Sequence, residues 1–243
     1  MSVRFVDLTL LALFAVVWPL VSHFVTHPRF VAALRAGVPG TRARRYRRSI
    51  VLQWMFAALV VGWTLASGRP LAWLGIAAAW RAGAWVGVAL AGAALGLMTL
   101  QHEAIRRRPE VRLKLRRRFA RVVEMLPHDR YELRLFQVLS VTAGVCEEVL
   151  FRGFAVAVLG TLAPGGVAIA ASALLFGFSH SYQGRRGIVT AAIVGLLMSA
   201  LYAVSGSLWL AMVFHAATDL INGATGYLAI RAEPDGSSRE AAA

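Results

Sequence analysis

Long apolar runs alternate with short polar breaks along almost the whole chain. Phe5 to Val25, Ile50 to Leu65, Gly83 to Leu100, Val138 to Leu159, Val167 to His180, Gly187 to Val204 and Leu208 to Ile230 are apolar over most of their length. Apolar runs approaching about 20 residues suit helices that cross a bilayer. The breaks hold turn formers: Ser67-Gly68-Arg69-Pro70, Ala163-Pro164-Gly165-Gly166, Gln183-Gly184-Arg185-Arg186 and Ser205-Gly206-Ser207. The pattern predicts an all-α fold, a polytopic membrane helix bundle of about seven to eight transmembrane helices. It contains no soluble domain and no internal repeat.

Local signals refine that outline. The first run is apolar apart from Asp7 and His23, and no small-residue cleavage site follows it, so it reads as an uncleaved span. Leu71 to Trp80 is too short to cross and is followed by Arg81, which suggests an interfacial or re-entrant piece, with Trp73 and Trp80 at the outer interface. Gly83, Gly87, Gly92 and Gly96 recur at helical spacing and are expected to let a neighbouring helix approach closely. Pro127, then Asp129 with Glu132 three residues on, has the form of a capping box opening a long helix. The expected organisation is N-terminal membrane helices with basic loops over residues 1–128, a helical core over 129–230 and a disordered polar tail over 231–243.

Composition narrows the setting. The 243 residues are 58% apolar with a net charge of +14. The cations fall mainly in two blocks between apolar runs, Arg42 to Arg48 and Arg106 to Arg121, which is the positive-inside pattern and not a nucleic-acid footprint. This predicts a multi-pass integral protein of a bacterial inner (cytoplasmic) membrane, with no nucleic-acid partner and the first span's C-terminal end in the cytoplasm. Arg106 to Arg121 interleaves arginines with Val111, Leu113, Leu115 and Phe119, as expected of an amphipathic helix lying on anionic lipid. Cys146 is the sole cysteine, so no intrachain disulfide forms, and a small residue in a packed helix is the expected role.

The costliest stretch is Cys146-Glu147-Glu148-Val149-Leu150-Phe151-Arg152. Three ionised side chains near mid-membrane ask for on the order of 8–10 kcal/mol unless paired or wetted. Glu148 and Arg152, at i and i+4, can pair on one face, while Glu147 lies about 100° round the helix. Glu147 must then be protonated, face a wet cavity, or meet a partner from another helix. A purely structural ion-pair cluster leaves the second acid without a purpose. His180 and His215 follow in later spans at overlapping depth. Phe176 and His180 share one helical face, and His215, Asp219 and Asn222 share another. Convergence of these groups in a membrane core suggests a functional site. Ser179 and Thr218 neighbour the histidines in sequence, but adjacent helical residues point to different faces, which disfavours a serine-type pairing. His180 and His215 with Glu147 or Asp219 have acceptable zinc-ligand types, although no H-E-x-x-H stands in any span.

Glu147-Glu148-x-x-x-Arg152, Phe176-x-x-x-His180 and His215-x-x-x-Asp219, in that order over Asp129 to Tyr227, resemble the three motifs of the CPBP family. That family comprises the CAAX-protease and bacteriocin-processing, or abortive-infection (ABI), proteins, including the type 2 CAAX prenyl endopeptidase. The resemblance implies a glutamate-type intramembrane peptidase with no metal and no cofactor. Glu147 with His180 would activate a water, His215 with Asp219 would stabilise the oxyanion, and Glu148, Arg152 and Phe176 would support the site. The family's characterised enzymes carry asparagine where Asp219 stands. An ionised aspartate would repel an oxyanion, so Asp219 is expected to be protonated or to orient His215, with Asn222 one turn on as the donor. The expected function is endopeptidase cleavage of a protein or peptide tail entering laterally or from the cytoplasm, such as a bacteriocin, a pheromone or a sorting signal. The rival expectations are a catalytically silent membrane scaffold of the same fold and a proton-coupled transporter.

Overall fold

A computed structural model describes residues 4–76, 80–118 and 123–231. Among them are eight helices and no strand: α1 Phe5–Arg35, α2 Thr41–Ala66, α3 Ala84–Arg107, α4 Pro109–Arg118, α5 over 130–159, α6 Gly165–Ser179, α7 Gly184–Ser205 and α8 Leu208–Ile230. Four are long and apolar enough to cross a membrane: α1, α2, α3 and α7 taken with the turn before it. The motifs sit on α5, α8 and the end of α6: α5 and α8 carry the polar motif residues within them, whereas α6 is apolar but only 15 residues long. The all-helical expectation holds.

Helix α1 runs ten residues past its apolar stretch, from Val25 to Arg35, and passes through Pro19 and Pro28. Each proline stands two residues after a π-helical turn, Leu13–Val17 or Ser22–Thr26. A widened turn releases the carbonyl that a proline cannot partner, so the helix continues where an α-turn would break.

Helix α5 is the axis of the bundle, packed by α2, α6 and α8. Its start follows the capping box: Asp129 accepts from the Glu132 backbone N–H at 2.8 Å. The Glu132 carboxylate, however, accepts from the His128 backbone N–H at 2.8 Å and not from the cap residue itself. Over Glu148–Ala155 the helix is π-wound and every residue is buried, as a helix in contact on all sides must be. A Cβ on Gly144 would lie 2.6 Å from the Ala216 Cβ, so α5 and α8 touch backbone to backbone at that level. Phe151 meets Phe14 edge to face at 5.5 Å and Phe176 at 5.1 Å, tying α1, α5 and α6 together.

Two expectations from the outer half change. Leu71–Leu74 is a single 3₁₀ turn that inserts into the bundle: Leu74 is wholly buried, and its carbonyl would lie 2.8 Å from a Cβ on Gly153 of α5. The piece therefore packs into the bundle; residues 77–79 lie outside the described residues. Trp73 is partly buried, packing on Phe154 at 5.9 Å beneath the Arg69 guanidinium at 4.4 Å, whereas Trp80 is exposed. The glycine row on α3 works only at its first half. Gly83 and Gly87 abut Val204, Leu201 and Leu210, whereas Gly92 and Gly96 have open space beside them, although α3 stays in contact with α8 as far as His102, whose Nδ1 lies 2.7 Å from Thr225 Oγ1.

The basic segment forms α4 over Pro109–Arg118, set off from α3 by extended backbone at Arg108 and packed against α8. Residues 119–122, including Phe119 and Arg121, lie outside the described residues, as does the tail from 232 onward.

Candidate functional site

The three motif helices and α1 and α2 enclose a cavity of about 1130 Å³. Glu147, Phe176, His180, His215, Asp219 and Asn222 all line it. Glu148 and Arg152 do not; they stand behind the wall, 0% and 1% exposed. The structure thus brings together every residue singled out from the sequence, on one hollow and its immediate backing.

The backing holds one imidazole. Glu148 Oε1 accepts from His215 Nδ1 at 2.8 Å and faces Arg152 Nη1 at 3.0 Å. That second contact is coulombic and not an aligned hydrogen bond, since Arg152 Nη1 and Glu148 Oε2 both lack a hydrogen-bond partner. Arg152 instead donates from Nη2 to the Gly195 carbonyl at 3.2 Å and lies over the Phe176 ring at 4.3 Å. With Nδ1 committed to Glu148, the ring of His215 presents Nε2, which stands 3.7 Å from Asp219 Oδ2. That distance is too long for a hydrogen bond. The hydrogen bond that orients His215 therefore comes from Glu148, one helix away, and not from Asp219, because α5 and α8 meet at Gly144 and Ala216.

His180 is fixed differently. Helix α6 ends at Ser179, and His180 has left helical geometry, with φ −97° and ψ 15°. Its Nδ1 lies 2.9 Å from the Phe176 carbonyl and 3.1 Å from Ser179 Oγ. Ser179 and His180 are in contact, which adjacent residues of a continuous helix would not be, because the helix ends between them. The contact still does not make a serine nucleophile. Ser179 gives its hydroxyl hydrogen to the Phe176 carbonyl at 2.7 Å, and that carbonyl can only accept. Nδ1 therefore carries the proton, and Nε2 keeps its lone pair for the cavity that the ring lines. Thr218 likewise spends its hydroxyl on the Phe214 carbonyl at 2.8 Å.

Glu147 finds a partner that the motif reading did not contain. Gln53 of α2 donates from Nε2 to Glu147 Oε1 at 2.9 Å. A signal existed, for Gln53 is an amide inside the otherwise apolar run Ile50 to Leu65. The basic block before that run was also only half understood. Arg29, Arg44, Arg45 and Arg48 line the cavity, with Arg45 over Phe30 at 4.7 Å and over Tyr182 at 5.4 Å. Cys146 is fully buried, as expected of a packing residue. Among the described residues no three His, Cys, Asp or Glu side chains are grouped as ligands for a metal ion.

Residues 130–221 match the family model described as Rce1-like, "Type II CAAX prenyl endopeptidase Rce1-like". This is the family that the three motifs resemble, and the matched stretch contains all of them, from Glu147 to Asp219. Comparison with curated proteins and with solved structures yields no match.

Proposed function

We propose that this chain is an intramembrane endopeptidase that hydrolyses a peptide bond with a water activated by Glu147 and His180. The carrying observation is the convergence of Glu147, His180 and His215, from three separate segments, on one cavity large enough for a peptide. Water held between the Glu147 carboxylate and His180 Nε2 attacks the carbonyl carbon of the scissile bond while Glu147 takes its proton. His215, doubly protonated, donates from Nε2 to the oxyanion that develops on the carbonyl oxygen, and Glu148 behind it balances the imidazolium charge. The tetrahedral intermediate collapses as the C–N bond breaks, and the proton held by Glu147 passes to the leaving amine. Asp219 stands beside His215 Nε2 and Asn222 one turn on, so the amide of Asn222 is the second donor to the oxyanion.

The substrate is a protein or peptide tail that reaches the cavity laterally or from the cytoplasmic side of a bacterial inner membrane. The arginines at the cavity and on α4 belong at that face, with α4 seated on anionic lipid. The test compares the termini of the membrane proteome in cells carrying wild-type or Glu147→Gln protein. General-base catalysis contributes about 10²–10⁴-fold. New termini made by the wild type should therefore vanish with the variant at equal protein level. An unchanged set of termini would refute the hydrolase reading. Flux of protons through liposomes without any cleaved product would instead favour transport.

A further inference from the structure

The matched family stretch begins at residue 130, yet the acid at its centre is held from outside it. We infer that Gln53, on α2, is a positioning residue of the site: its amide N–H fixes the Glu147 carboxylate in the orientation needed to take a proton from water. This rests on the hydrolase reading above.

Three observations point the same way. First, the 2.9 Å bond from Gln53 Nε2 is the sole hydrogen bond to the Glu147 side chain among the described residues, whereas Glu148 next to it has both His215 and Arg152. Without Gln53, no hydrogen bond from the described residues would orient the Glu147 carboxylate at the cavity wall. Secondly, the direction of the bond is set by chemistry. An ionised carboxylate only accepts, so the amide must turn its NH₂ to Glu147, and Oε1 then points the other way. Thirdly, Oε1 in that orientation is buried with no partner. A glutamine kept only for packing has no reason to strand its acceptor in this way. An apolar side chain of the same length would fill the space without the penalty, so the contact to Glu147 is what the side chain is retained for.

The geometry of α2 supports the role. Gln53 and Phe56 stand at i and i+3 on the face of α2 that lines the cavity. Phe56 is buried in the aromatic core and packs near Trp18 at 6.2 Å, so the turn that presents Gln53 is locked from α1. The catalytic acid therefore takes its aim from a helix that contributes no other group to the chemistry.

Two substitutions of matching length separate this role from packing: Gln53→Met, which removes the donor, and Gln53→Glu, which replaces it with an acceptor. The protein is purified at full length in detergent, and a peptide spanning a cleavage site found by the terminus comparison serves as probe. Gln53→Met should lower kcat about 10- to 100-fold with KM within about twofold, and Gln53→Glu should lower kcat further, since two carboxylates would then face each other. Thermal stability of Gln53→Met should be unchanged or higher. On a Glu147→Gln background, Gln53→Met should leave binding of the probe peptide unaltered. Wild-type kcat in both variants, or a loss confined to KM, would overturn the assignment of Gln53 while leaving Glu147 standing. If Glu147→Gln itself leaves every terminus in place, it is the hydrolase reading that fails.

Discussion

Two carboxylate–arginine pairs are buried in this bundle, and they are finished to different degrees. Between the start of α1 and the end of α2, Asp7 accepts from Arg69 with both oxygens, at 2.6 and 2.7 Å, from the Trp63 indole at 2.8 Å and from the Arg4 backbone N–H at 2.8 Å. The bonds to Asp7 raise the pKa of Arg69, in the loop after α2, above its ordinary value. At the centre, Glu148 spends one oxygen on both Arg152 and His215 and leaves the other without a partner. The first pair closes a joint between helices and faces no cavity. The second is left with unused capacity and holds an imidazole at the edge of one. Both pairs leave one buried guanidinium nitrogen without a partner, Arg69 Nε and Arg152 Nη1, so the difference lies in the acids: a carboxylate with both oxygens bonded is a fastening, whereas one with an oxygen left over beside a hollow is the signature of a site.

The largest expected effects come from orphaning either acid. Arg69→Met leaves the buried Asp7 carboxylate without a cation, which should destabilise by about 3–5 kcal/mol in detergent melts, and Arg152→Met, which leaves Glu148 with His215 alone, should cost somewhat less. The two should part in turnover per folded molecule: unchanged for Arg69→Met, and reduced for Arg152→Met, because Glu148 no longer holds His215 in place. Equal turnover in the two variants would remove the distinction between fastening and site.

A smaller effect should follow from forcing apart the helices that bring Glu148 to His215. Gly144→Leu has no room against Ala216 and should cost about 1–3 kcal/mol, with a loss of activity larger than the fraction unfolded explains. The smallest belongs to Gly92→Ala, in the open half of the α3 row, which should stay within about 0.5 kcal/mol of the wild type with full activity. A marked loss there would show that α3 has a close neighbour in the membrane.

Much of the site was legible before any coordinates. The cost of Glu147, Glu148 and Arg152 in an apolar run, and the i, i+4 spacing of Glu148 with Arg152, anticipate the 3.0 Å contact. The shared face of His215, Asp219 and Asn222 anticipates that all three line the cavity. Periodicity failed where the backbone stops being periodic: at His180, beyond the end of α6, and along α3, where a row of glycines says nothing about whether a neighbour is present. The apolar run also understates α1, which continues past Val25 through Pro28 to Arg35.

The amino-acid order by itself determined that the chain is a helical membrane bundle, where most of its helices lie, and which ionisable groups could not be left in lipid unattended. Those properties depend on neighbours within a few turns and on transfer from water, both of which can be read along one dimension. Only the tertiary structure decided which partner each of those groups received: Gln53 for Glu147, His215 for Glu148 and Arg69 for Asp7. Partners 94, 67 and 62 residues apart are chosen by how closely helices can pack, and that depends on the fit of surfaces which no local spacing records.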